Sequence, residues 1–120
     1  MIKSLDDLKV YNQSYDLALR INKEILKLPR FEKYVLCDQM MRASRSVPAN
    51  IAEGYAKKRS ALEFKKFLTS ALGSANEMIV HLRFAKDLDY LLSKFCNEAI
   101  EEYNIISKSL VNLIRNWKTY

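Results

Sequence analysis

Between residues 42 and 66 the chain carries seven cations, Arg42, Arg45, Lys57, Lys58, Arg59, Lys65 and Lys66, against two acids, Glu53 and Glu63. That stretch holds +5 of the net +6 of the 120-residue chain, so the basicity is local. It centres on "KKRSALEFKK", residues 57 to 66. Three fates are open to such a corner: solvation alone, an acidic protein surface, or the phosphate backbone of RNA or DNA, the commonest partner of a concentrated cationic patch. No aromatic-interleaved motif for reading bases accompanies it. Binding of nucleic acid there is therefore expected to tolerate sequence and to weaken steeply with salt.

Other chemistry is sparse. His81 is the single histidine, which leaves no catalytic histidine pair and no ferritin-like di-iron site, since that takes two Glu-x-x-His motifs. Glu77 precedes it by one helical turn and reads as an ordinary flanking pair, not a metal site. No Gly-rich phosphate loop, nucleophile elbow or His-Glu-x-x-His helix occurs. Neither an enzyme nor a cofactor is expected. Cys37 and Cys96 are spaced like neither a zinc site nor a disulfide framework and read as reduced thiols packed as small apolar groups.

The elements that must position the basic corner are helices. Two glycines and two prolines leave little material for the turns of a β protein, and Asn-Gly and Asp-Gly hairpin signals are absent. The length suits a single domain, 1–120, around one core. No apolar run approaches the roughly 18 residues that cross a bilayer, and "MIKSLDDLKVY" lacks the layout of a signal peptide. A cytoplasmic protein with no membrane partner is expected.

The first helix opens near Ser4 to Asp7, with Ser4 as N-cap, and closes at Leu28 before Pro29. It bears two apolar stripes, one through Leu8, Tyr11, Tyr15, Ala18 and Ile25 and one through Val10, Leu17, Ile21 and Leu28, so more than one face needs cover. "SALE" (Ser60 to Glu63) is a capping box that starts the third helix. Its seam steps by three and four residues from Ala61 through Phe64, Leu68, Ala71, Ala75, Met78 and Leu82 to Ala85. A fourth seam runs from Leu92 through Cys96, Ala99, Tyr103, Ile106, Leu110 and Leu113 to Trp117, with only "DLDYL" between the two. This period packs helices at a shallow angle. The expected fold is all-α, an antiparallel up-and-down four-helix bundle.

The second helix contains an oddity, "RSVPANIAEGY". Its seam, Leu36, Met40, Ala43 and Val47, should continue at positions 50 and 54, which are Asn50 and Gly54, whereas the apolar residues are Ile51, Ala52 and Tyr55. Pro48 lacks an amide hydrogen and displaces the carbonyl of Ser44, so a kink at Pro48 is expected, with Ser44 and Asn50 meeting the freed groups and Gly54 admitting a neighbouring helix. Two other readings stay open: that the kink presents Asn50 and Glu53 to a ligand, and that the helix breaks at Ser46 and restarts with Asn50 and Glu53 as a second capping pair.

Residues 38 to 77, "DQMMRASRSVPANIAEGYAKKRSALEFKKFLTSALGSANE", closely resemble the signature of the 23S rRNA intervening sequence proteins, a four-helix-bundle family that shares its fold with accessory proteins of diversity-generating retroelements. Ser46, Pro48, Asn50, Glu53 and Gly54 carry the match, followed by Ser60, Glu63, Phe67, Leu68, Gly73, Ser74 and Glu77. Tyr15 with Ala18, Glu32 with Tyr34, and "LDYL" extend it over nearly the whole chain. Met41 stands where the family usually has a second basic residue beside Arg42, and Asp89 where it usually has glycine. The resemblance implies a bacterial homopentamer arranged as a ring or barrel. Apart from it, Phe67, Leu72, Ile79 and Phe84, with Phe95, Ile105, Val111 and Ile114, lie off the seams, and a contiguous leftover patch would mark a subunit interface. The function expected is a non-enzymatic homopentameric scaffold that binds RNA or DNA through the basic corner. The rival is a protein-interaction module, such as an accessory subunit of a reverse transcriptase, in which Lys57, Lys58 and Arg59 meet acidic protein.

Overall fold

Apolar residues at alternating steps of three and four produce helices with one buried stripe, and four such stripes close on a common core. The computed structural model describes residues 2–118; Met1, Thr119 and Tyr120 of the expected 1–120 domain lie outside the described residues. It contains α1 (Lys9–Glu24), α2 (Leu36–Ala56), α3 (Ala61–Asp87) and α4 (Ser93–Asn116), with no β-strand among the described residues. The helices form an antiparallel bundle 49 × 24 × 19 Å. α2 packs most extensively on α3, followed by α3 on α4 and α1 on α2, while α1 meets α4 more sparsely.

Phe64, Leu68, Ala71, Ala75, Met78, Leu82 and Ala85 are all buried, as the α3 seam requires. In and just after α1 the stripe of Val10, Leu17, Ile21 and Leu28 enters the core, and so do Leu8, Ala18 and Ile25 of the other stripe, whose Tyr11 is half-buried and Tyr15 exposed. The α4 seam holds from Cys96 to Leu110, but its expected first member, Leu92, is 74% exposed, and Leu91 is buried in its place. The turn before α4 explains the exchange. α3 ends in a Schellman motif: the Tyr90 amide donates to the Ala85 carbonyl at 2.8 Å and the Asp89 amide to the Lys86 carbonyl at 3.0 Å. Asp89 therefore takes a left-handed φ of 59°, the position at which glycine carries no Cβ penalty.

α1 is shorter than expected. A 3-10 turn at Leu5–Asp7 precedes it and another at Ile25–Lys27 follows it. At the start, the Asp7 carboxylate accepts the amides of Lys3 at 2.7 Å and Ser4 at 3.0 Å, and these bonds hold its pKa below the usual value. At the end, Leu28 is extended (φ −63°, ψ 151°), as a residue before proline must be. The α1–α2 connection is then fastened to the α3–α4 turn: the Tyr90 hydroxyl donates to Glu32 Oε2 at 2.9 Å, and Phe31 meets the Tyr90 ring edge-on with centroids 6.2 Å apart.

α2 runs unbroken across the buried Pro48, which corrects the reading that it breaks at Ser46 and restarts. Its seam passes from Val47 to Ile51 and Gly54, leaving Asn50 half-buried. Asn50 Nδ2 donates to the carbonyl of Ser46 at 2.9 Å, and the Ser44 hydroxyl donates to that of Met41 at 3.0 Å. Neither side chain meets the Ser44 carbonyl itself. Of the off-seam residues, Ile79 is buried, Phe67, Leu72, Phe95 and Ile114 are half-buried, and Phe84, Ile105 and Val111 are exposed. Both cysteines are free thiols, with Cys96 fully buried and Cys37 half-buried; burial pushes the Cys96 pKa up.

Two predictions follow from backbone and core. Asp89→Gly relieves the left-handed strain and is expected to stabilise the fold by roughly 0.5–1 kcal/mol, read as a higher urea midpoint. Tyr103 is fully buried, and desolvation raises its pKa well above the ordinary 10.0. The folded state thus disfavours the phenolate, and stability is full below pH 10 and falls as the pH rises beyond it. In alkaline unfolding curves, Tyr103→Phe is expected to remove that part of the loss.

Candidate nucleic-acid interface

The basic corner is shaped by the end of α2 and the start of α3. After Ala56 the chain turns tightly, with the Lys57 amide on the Gly54 carbonyl at 2.9 Å and the Lys58 amide on the Tyr55 carbonyl at 3.1 Å. Ser60 caps α3 by accepting the Glu63 amide at 3.2 Å. The reciprocal half of the expected capping box is not made, because the Ser60 amide already donates to the Lys57 carbonyl at 3.1 Å. Lys57 Nζ sits 4.7 Å from the Phe67 ring centroid and Lys58 Nζ 3.9 Å from that of Tyr55. Each ring attracts its ammonium by about 0.5–1 kcal/mol at an exposed site and so limits where it wanders.

None of Lys57, Lys58, Arg59, Lys65 and Lys66 is in an ion pair among the described residues. Arg42 and Arg45 do not join them. They stand roughly 22 Å and 18 Å back along α2 at about 1.5 Å per residue, and both are engaged: Arg42 Nε donates to Asp38 Oδ2 and Arg45 Nε to Asn22 Oδ1, each at 2.9 Å. The seven cations of one sequence stretch thus divide into five at the α2–α3 turn and in the first turns of α3, and two arginines further back on α2.

Most of the "SVPANIAEG" residues face inward or bond to their own bundle, Ala49 and Glu53 being the exposed ones. The Ser46 and Ser74 hydroxyls share a hydrogen bond of 2.8 Å that joins α2 to α3, and Asn50 Nδ2 donates to Ser46 Oγ at 2.9 Å. A Cβ built on Gly54 would lie 2.7 Å from Phe67 Cβ and 3.0 Å from Phe64 Cδ1, so glycine is what lets the two helices approach. Glu53 is exposed. The cleft beside Pro48 is lined by Tyr11, Tyr15, Leu19, Ala49 and Ala52, and neither Asn50 nor Glu53 borders it. They are therefore not brought together at a pocket. His81 is buried and bonds the Glu77 carboxylate at 2.9 Å, and no cluster of three His, Cys, Asp or Glu side chains forms among the described residues.

Sequence reasoning missed Asn22, which tethers Arg45, and the pairing of Glu32 with Tyr90. The α1 stripe of Leu8, Tyr11, Tyr15, Ala18 and Ile25 is the signal for the cleft, since Tyr11, Tyr15 and Ala18 line it.

The model of the family described as 23S rRNA-intervening sequence protein matches residues 6–112. The chain belongs to that family. A crystal structure of a protein of unknown function from the S23 ribosomal protein family of Bacteroides thetaiotaomicron resembles this intervening-sequence protein with a TM-score of 0.80 and 27% identity, covering 89% of this chain and 99% of the other. No curated protein matches the chain. No enzymatic family is indicated, and among the described residues no helix is long and apolar enough to cross a membrane.

The geometry at Gly54 makes a sharp prediction for this intervening-sequence protein. The first contact is with a Cβ fixed to the α3 backbone, which cannot swing aside. Gly54→Ala is expected to destabilise the bundle by about 1–2 kcal/mol despite alanine's better helix propensity, measured as a lower urea midpoint with an unchanged slope.

Proposed function

We propose that this intervening-sequence protein is a non-catalytic oligomeric scaffold that holds RNA or DNA at the α2–α3 corner. The observation that carries the reading is the cluster of Lys57, Lys58, Arg59, Lys65 and Lys66 without a single acidic partner among the described residues. Uncompensated cations on a rigid turn release counterions from phosphates on binding. The corner offers no base-reading pattern, so affinity is set by backbone charge and not by sequence.

Assembly is supported by apolar side chains that one bundle leaves uncovered. Tyr15 and Leu19 on α1, Val80 and Phe84 on α3, and Ile105 on α4 are 46–55% exposed. Faces of this kind on several helices suit subunit contacts, and the family resemblance supplies the number five. In such a ring the corners of identical subunits add their fields.

The test is fluorescence-anisotropy binding to mixed cellular RNA and duplex DNA at several salt concentrations, on protein whose assembly mass is fixed by light scattering. Binding is expected to fall steeply with salt. The variant Lys57→Gln, Lys58→Gln, Arg59→Gln, at unchanged assembly mass, is expected to lower the log–log salt slope by about three. Absence of wild-type binding at low salt overturns the phosphate reading and directs attention to an acidic protein partner such as a reverse transcriptase. A monomeric mass overturns the scaffold.

A further inference from the structure

Arg45 stands between two clefts on the α1–α2 face. One, of about 390 Å³, has Tyr11, Tyr15, Leu19, Pro48 and Ala52 in its walls. The other, of about 600 Å³, is lined in part by Leu26, Arg30, Lys33, Tyr34 and Met41. Arg45 and Asn22 border both.

The arginine is held by a chain of bonds rooted in the core. Ser44, fully buried, donates its hydroxyl to the Met41 carbonyl at 3.0 Å. Asn22 Nδ2 donates to Ser44 Oγ at 3.0 Å and to the Ala18 carbonyl at 2.7 Å. Those two bonds consume the amide's donors and turn Oδ1 towards Arg45, whose Nε donates to it at 2.9 Å. A guanidinium has five N–H groups in a rigid fork. With Nε tied down, its four terminal donors have no partner among the described residues. Asp38, the acid that borders the larger cleft, is taken by Arg42.

A tethered, unpaired guanidinium fork matches a planar carboxylate in bidentate geometry. Beside it, the smaller cleft is an apolar trough floored by the Tyr11 and Tyr15 rings, 6.0 Å apart and inclined by 34°, and its volume is that of a small-molecule site. We propose that this cleft binds a small apolar carboxylate, its head on the Arg45 terminal nitrogens and its alkyl or aryl body along Tyr15, Leu19 and Pro48. The site is separate from the basic corner; because its walls include Tyr15 and Leu19, it requires that the subunit contacts of the scaffold reading leave this trough open.

Calorimetric titration with octanoate and 4-phenylbutanoate, each against the matching alcohol at equal ionic strength, tests it on the full chain. The carboxylates are expected to bind at least tenfold more tightly than the alcohols. Arg45→Gln is expected to bring the carboxylates down to the level of the alcohols, Arg45→Lys to lose at least threefold because the fork is gone, and Ala52→Phe to abolish binding of both by filling the trough. Circular dichroism checks that each variant folds. Equal binding of acid and alcohol to the wild type, or no binding of either, overturns the proposal without any variant. So does a change in assembly mass on Ala52→Phe, which makes the trough a seat for a second copy of the chain.

Discussion

The distance between α2 and α3 is the constraint on which the rest of the bundle depends. Gly54 lies against Phe64 and Phe67 with no room for a methyl group, and about two turns further back Ser46 and Ser74 bond across the same interface. A steric stop and a polar pin at two heights leave the helices neither free to separate nor free to slide. The position of Phe67 beneath Lys57 and of Tyr55 beneath Lys58 is inherited from that contact. A motif that contains none of the corner's cations therefore decides where two of them stand.

The opposite end of the rod is closed by different means. There the α1–α2 connection and the α3–α4 turn are joined by Glu32 and Tyr90, and the turn itself depends on a left-handed residue. Desolvation raises the Tyr90 pKa, and the hydrogen bond to Glu32, which favours the neutral phenol, raises it further. Two connections that are 58 residues apart in sequence thus behave as one cap over the core.

The seams were the most legible part of the sequence, because burial on both sides of a bundle helix imposes a strict alternation of steps that α3 and α4 obey. Legibility failed where local geometry overrode periodicity. The Schellman turn exchanged Leu92 for Leu91, and a 3-10 turn ended α1 before Leu28. The candidate site was only half legible. Counting charge along residues 42 to 66 joined Arg42 and Arg45 to the corner, but a continuous helix converts that separation into roughly 20 Å. The partners that engage those arginines follow different rules. Asp38 lies one helical turn from Arg42, whereas Asn22 belongs to another helix and reaches Arg45 only after folding. The Glu32 and Tyr90 contact is of the same long-range kind, and no spacing rule within either segment encodes it.

The antiparallel order of the helices has a practical consequence. Tyr11 and Tyr15 lie level with Pro48 and Ala52, so α1 starts beside the end of α2. Trp117 packs edge-on against Phe64, 4.6 Å between centroids, so the chain leaves α4 beside the start of α3. Both exits accordingly open at the end that bears Lys57 to Lys66. A purification tag, fluorophore or surface tether joined to either one hangs over that end, whereas an attachment through the Glu32 and Tyr90 end leaves it clear.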